Sequence, residues 1–140
     1  MQVIVVDKGG MAGHNVVSWF RFQNSPVNVV SVRTLVQLLK LLEVKHELLV
    51  VVSVQLIDGY KWNSELGQLV KKYDPHAVFV VYNSIQDGNS DFIDHRIGSW
   101  RPPEDRSKGL GVGQMIGKYL LQHVFTGVWG VEKQLELEIF

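Results

Sequence analysis

A three-layer α/β sandwich is the fold this sequence predicts, doubly wound in the Rossmann- or flavodoxin-like manner around a mainly parallel sheet of about five strands. Three observations predict it. Apolar, β-branched runs of strand length recur at 2–6, 27–32, 48–56 and 77–82. Stretches with apolar residues at helical spacing alternate with them. Two runs, Leu48–Val52 and Ala77–Tyr82, are apolar without interruption. Such runs belong to strands covered on both faces.

Each element has its own signal. Gln2–Val6 reads as a buried strand stopped by Asp7-Lys8-Gly9-Gly10. Met11–Phe22 follows as a helix, with Val16, Val17, Trp19 and Phe20 apolar, and Asn24-Ser25-Pro26 breaks it. Val27–Val32 is the second strand. Leu35, Val36, Leu38, Leu39, Leu41 and Leu42 sit at helical spacing, opposite Arg33, Gln37, Lys40 and Glu43. Leu48–Leu56 is the strongest strand, ended by Asp58-Gly59. Asn63 or Ser64 is placed to cap a helix running to Lys72, with Leu66, Leu69 and Val70 inward. Tyr73-Asp74-Pro75 stops it, and Ala77–Tyr82 is the fourth strand. Residues 83–108 are polar and rich in Gly and Pro, a long loop or arm with weak periodicity only around Phe92–Trp100. Gly109–Phe125 reads as a helix. Glu132–Phe140 alternates Leu135, Leu137 and Ile139 with Gln134, Glu136 and Glu138, as a half-exposed edge strand does. Val3, Val5, Leu49, Val51, Val78 and Val80 are the expected core.

Composition narrows the function classes. At 140 residues one domain is expected, large enough to bury a core without metals or disulfides. The absence of cysteine excludes a disulfide framework, a thiolate zinc site and a cysteine nucleophile. Fourteen basic residues balance fourteen acidic ones. A general nucleic-acid binder needs a basic surface instead. No apolar run approaches the about 18–20 residues of a membrane helix, and no signal peptide is readable at the start. The expectation is a soluble protein of the cytoplasm or another intracellular compartment.

In open parallel sheets, ligands bind beyond the carboxyl ends of the strands. Asp7, Asp58, Asn83 and Asp87 are placed there. Converging carboxylates at such an edge hold a divalent cation such as Mg²⁺ for phosphate chemistry, whereas Asp-Gly and Asp-Lys-Gly are also ordinary turn formers. Asp91, Asp94, His95 and Arg96 share the long loop. His95 is a candidate base with a carboxylate from Asp7 or Asp58, and a solvated polar loop is the alternative. His14 is placed to reach the same edge.

Arg106-Ser107-Lys108-Gly109-Leu110-Gly111-Val112-Gly113 directly precedes a helix. Small residues let backbone N–H groups approach an anion, the helix start favours negative charge, and Arg106 and Lys108 add positive charge. Phosphate or a nucleotide is the ligand this loop suits. The competing role of Gly109, Gly111 and Gly113 is close packing of helix against sheet. The loop is not a P-loop, because no Gly-x-x-x-x-Gly-Lys-[Ser/Thr] occurs.

Three family resemblances attach to these residues. Val3-Ile4-Val5-Val6-Asp7-Lys8-Gly9-Gly10, with His14 and Arg21, resembles the first strand and helix of class I glutamine amidotransferase domains. Gly111-Val112-Gly113-Gln114-Met115-Ile116-Gly117 resembles their nucleophile turn, Gly-x-Cys-x-Gly-x-Gln. The cysteine is missing and no His-Pro-Glu element follows, so this resemblance implies a chain without amidotransferase chemistry. Residues 1–83 also resemble a response-regulator receiver. Asp7 matches its acidic first strand end, and Leu49–Gly59 its third strand and following loop. Ser53 stands at the phosphoacceptor position and Lys8 at the second acidic one, which implies a receiver that cannot be phosphorylated. Arg106–Gly111 resembles the pyrophosphate loop of acetyl-CoA-dependent N-acetyltransferases over about two dozen residues with its helix, a local likeness of an anion-binding loop.

Two functional readings follow. The first is a noncatalytic binding or assembly module that recognises a protein partner or a second copy of itself, with a phosphate-bearing ligand at 106–113. Trp62, Trp100, Trp129 and the edge strand at 134–139 are its interface candidates. The second is a metal-dependent enzyme on phosphorylated substrates, phosphoesterase- or nuclease-like. In it Asp7, Asp58 and His95 surround the metal and Lys108 holds the phosphate.

Overall fold

A computed structural model describes residues 1–82, 88, 91–98 and 111–125. β1 is Gln2–Asp7, β2 Asn28–Val32, β3 Leu49–Gln55, β4 Val78–Tyr82 and β5 His95–Ile97. They form one sheet in the order β2-β1-β3-β4-β5, every pair parallel. This is the flavodoxin-like order of doubly wound folds, so the expected α/β class and strand number hold. No helix of the described residues is long and apolar enough to cross a membrane.

The helices are α1 Met11–Phe22, α2 Leu35–Leu42, α3 Asn63–Tyr73 and α4 Val112–Tyr119. A π-helical turn, Leu120–Val124, extends α4. Strand side chains alternate between two apolar layers. Val3, Val5, Val50, Val52 and Val80 pack with Val16 and Phe20 of α1 and Ile116 of α4. Ile4, Val6, Val51, Phe79 and Val81 pack with Leu38 of α2 and Leu66 and Val70 of α3. Five of the six expected core residues are buried. The sixth, Val78, is half-buried, because pairing with β5 begins only at Val80 and leaves its outer side uncovered.

Local chemistry sets the helix starts. Thr34 caps α2, its hydroxyl accepting from Gln37 N at 3.2 Å, while Gln37 Oε1 accepts from Arg33 N at 2.7 Å. At α3 the capping position belongs to Trp62, one residue before the expected Asn63 or Ser64. Glu65 Oε1 accepts from Trp62 N at 3.1 Å, and Asn63 is thereby released for a bond inside the protein.

α4 packs on α1 through glycine. A Cβ on Gly113 would strike the carbonyl of Asn15, and one on Gly117 the indole of Trp19. The matched order, 113 on 15 and 117 on 19, runs the two helices in the same direction. The entry to α4 therefore lies beside the first turns of α1, at the carboxyl end of the sheet. Gly113 serves helix–helix packing, rather than the helix–sheet packing expected of it.

The stretch expected as a structureless loop contains β5. Its approach runs down α3: Gly88 against Ser64 and Trp62, Phe92 against Gly67, Ile93 in the core beside Leu66 and Val70, and Asp94 on Lys71. Three residues are too few to show a periodicity, so pairing and side-chain bonds define this strand. The expected edge strand at 132–140, Trp100, Trp129, Asn83, Asp87, Arg106, Lys108 and Gly109 lie outside the described residues.

Candidate functional site

The carboxyl end of the sheet gathers Asp7, Lys8, Ser53, Gln55, Asp58 and Asn63. Asp7 is the last residue of β1 and only 4% exposed. Its Oδ2 accepts from Gly13 N, in the first turn of α1, at 3.0 Å. The register of β1 on β3 shifts between Val6 and Asp7, so Asp7 stands opposite Gln55. Gln55 then binds the turn that follows: its side-chain oxygen accepts from Gly9 N at 2.7 Å and its carbonyl from Lys8 N at 3.4 Å. Gly10 opens α1 at φ +87°, a left-handed backbone that suits glycine. Arg33 Nε donates to Lys8 O at 3.0 Å and ties the end of β2 to the same turn.

Asp58 does not converge on Asp7. Its side chain is 88% exposed and pairs with Lys8 Nζ at 2.7 Å. One carboxylate is thus buried against a helix N-terminus, and the other lies out in solvent on a cation. Ser53, 1% exposed near the end of β3, donates its hydroxyl proton to Asn63 Oδ1 at 2.7 Å.

His95 stands elsewhere. It pairs with Val80, in the middle of β4, and its Nδ1 lies 3.2 Å from the Tyr119 hydroxyl on α4. The rings meet edge to face, and the His123 ring also packs on Tyr119, with centroids 4.5 Å apart. Three strand spacings, about 14 Å, separate β5 from β1. That exceeds the reach of a single ion with oxygen ligands at about 2.0–2.6 Å. Asp94 and His95 point to opposite faces. Asp94 Oδ2 accepts from Phe79 N at 2.8 Å and Lys71 Nζ at 2.6 Å, while Asp94 N donates to Phe79 O at 2.9 Å. Among the described residues no three His, Asp or Glu side chains are grouped to hold a metal. His14 is exposed in the first turn of α1.

Gly111 caps α4 with extended backbone, and no described residue lies within 4 Å of the place a side chain would take. In sequence Asn63 reads only as a helix cap and Arg33 only as part of a polar helix face, and Gln55 carries no signal at all. The role of Asn63 has no local signal, because the capping position falls to Trp62 and leaves both Asn63 and Ser64 inside the helix.

No family model and no curated protein matches the chain. Among solved structures it is similar to one described as adenylate cyclase from Rhodopirellula baltica, at 14% identity and a TM-score of 0.57, covering 99% of this chain and 98% of that one. Likeness at that identity is likeness of fold.

Proposed function

We propose that this chain is a noncatalytic α/β module that works by binding or assembly. One observation carries the reading. At the carboxyl end of the sheet the described carboxylates, amide and ammonium nearest the strand ends are engaged within the chain: Asp7 on Gly13, Ser53 on Asn63, Gln55 on Gly9 and Lys8 on Asp58. The buried Ser31 hydroxyl beside Gly13 stands apart from them, with no hydrogen-bond partner among the described residues. A buried carboxylate that completes a helix start, and a buried hydroxyl that donates to an amide oxygen, are fold-making groups. A Lys8 ammonium beside the acidic strand end also repels a divalent cation. A protein partner or a second copy is the partner class this reading takes.

Its finer part is a phosphate-bearing ligand at 106–113. Arg106 and Lys108 supply charge ahead of Gly111, and no described residue covers Gly111 at the first N–H groups of α4.

Backbone amide spectra test both parts. Under Mg²⁺, then a trace of Mn²⁺, the amides of Asp7, Lys8, Ser53 and Asp58 are expected to keep their positions and widths. Broadening centred on Asp7 and Asp58 would overturn the noncatalytic reading in favour of a metal-dependent enzyme on phosphorylated substrates. Under millimolar phosphate, Gly111 and Gly113 are expected to shift, less so at high salt, and not at all in Lys108→Glu. Static amides there would leave Gly113 its packing role alone and remove the phosphate part of the reading.

A further inference from the structure

The two lateral edges of the sheet are unequally protected. β5 is three residues long, carries Arg96, and has α4 and Asp94 against it. Short, charged and covered is how natural sheets close an edge. β2 has none of these devices. It is five residues, Asn28-Val29-Val30-Ser31-Val32, with no charge, proline or bulge, and no described strand pairs with its outer side. Asn28 N donates inward to Met1 O. Alternation then turns the N–H and C=O of Val29 and Ser31 outward. Val29 and Val30 are only half-buried, one on each face.

A groove runs beside this edge on the α1 side. It is lined by Val17, Phe20 and Arg21 of α1 and by Val27, Asn28 and Val29. Arg21 is its only charged lining residue among the described ones, and Arg21 also flanks Phe22, which is 89% exposed. Arg33 follows the last residue of β2 and is exposed. The edge therefore offers two outward amide groups, apolar side chains on both faces, and a cation near each end, with no carboxylate of the described residues in the groove.

We infer that the β2 edge is a docking site for an extended strand of a partner protein, one in which apolar and acidic residues alternate. The inference deepens the binding-module reading and rests on it. An added strand satisfies the outward amides, its apolar residues cover Val29 and the groove, and its carboxylates meet Arg21 and Arg33. A second copy paired β2 on β2 fits less well, because that pairing brings another Arg21 and another Arg33 to the edge and β2 itself carries no acid.

The test uses the full chain and two blocked hexapeptides, one alternating Val with Glu and one alternating Val with Lys. Amide spectra at millimolar peptide are expected to show shifts at Arg21, Val29 and Ser31 with the Glu peptide only. Val29→Pro removes one outward N–H, leaves the β1 ladder intact, and is expected to abolish the shifts. Arg21→Glu touches only an exposed side chain and is expected to weaken the Glu peptide about tenfold. Equal response to both peptides, or none to either, overturns the inference. So does a concentration-dependent rise in mass without peptide that Val29→Pro removes, which would make a second copy the occupant. Failure here leaves the Mg²⁺ result standing, whereas Mn²⁺ broadening at Asp7 sinks the noncatalytic reading whatever the peptides do.

Discussion

β2 and β5 border the same sheet and are fastened in different ways. β2 continues a ladder: five consecutive residues pair with β1, and Gln2 and Asn28 exchange side-chain bonds across the first rung. β5 pairs over three residues and is positioned by side chains that stand in for a longer strand. Asp94 bonds both the N–H and the C=O of Phe79, as a further ladder residue would, and its carboxylate anchors that corner to Lys71 of α3. His95, on the opposite face, leans on Tyr119 of α4. One edge is held by backbone repetition. The other depends on a few side chains, and it should respond to single substitutions far more sharply.

The reference for that comparison is the middle of the sheet, where neither edge device operates. Val51 of β3 is fully buried between β1 and β4. Val51→Ala is expected to cost about 2–4 kcal/mol through lost burial and the cavity left behind. Urea unfolding measures it. A loss near zero would mean that β3 is not the centre of the core, and the contrast between edges would lose its baseline.

Asp94→Ala is expected to come next, at about 1–3 kcal/mol, because it strands the part-buried Phe79 N–H without an acceptor. Asp94→Asn keeps an acceptor oxygen and loses the ion pair with Lys71, in which the Asp94 side chain is 37% exposed. It should therefore stay within about 1 kcal/mol of the parent. Hydrogen exchange at Phe79 separates the two, faster in Ala and near normal in Asn. Equal loss in both variants would place the stabilisation in the ion pair instead of the ladder bond.

This difference between the edges is also the difference between what was and was not legible in the sequence. β1 to β4 and the helices between them are written in runs of apolar residues with period 2 or 3.6, so they were placed to within a residue or two. β5 has three residues and one buried apolar side chain, Ile97. Its position is set by Asp94 reaching Phe79, fifteen residues back, a relation no local pattern encodes. The same limit governed the candidate site. Asp7 was found because it ends an apolar strand. Its commitment to Gly13, the salt bridge that draws Asp58 to Lys8, and the placing of His95 on the α4 side all depend on tertiary placement. Ser53 and Asn63 are ten residues apart and meet only because β3 and the start of α3 converge.

The smallest effect belongs at β2. Asn28 Nδ2 donates to Gln2 Oε1 at 2.7 Å, and Gln2, 6% exposed, returns a bond from its Nε2 to Asn28 O at 3.2 Å. Asn28→Ala removes only the first of these, since the carbonyl remains, and Asn28 N still donates to Met1 O. The expected cost is about 0.5–1 kcal/mol, the net value of one hydrogen bond at a partly exposed position. Replacing both partners, Gln2→Leu with Asn28→Val, removes the donor and acceptor together and should recover part of that loss, because no polar group is left unpaired. Exchange at the Asn28 amide reports whether the rung itself has opened. If Asn28→Ala cost as much as Asp94→Ala and that amide exchanged freely, β2 would hang on a side-chain bond just as β5 does. The ladder would not then be what holds this edge, and a strand docking there would have no stable template to extend.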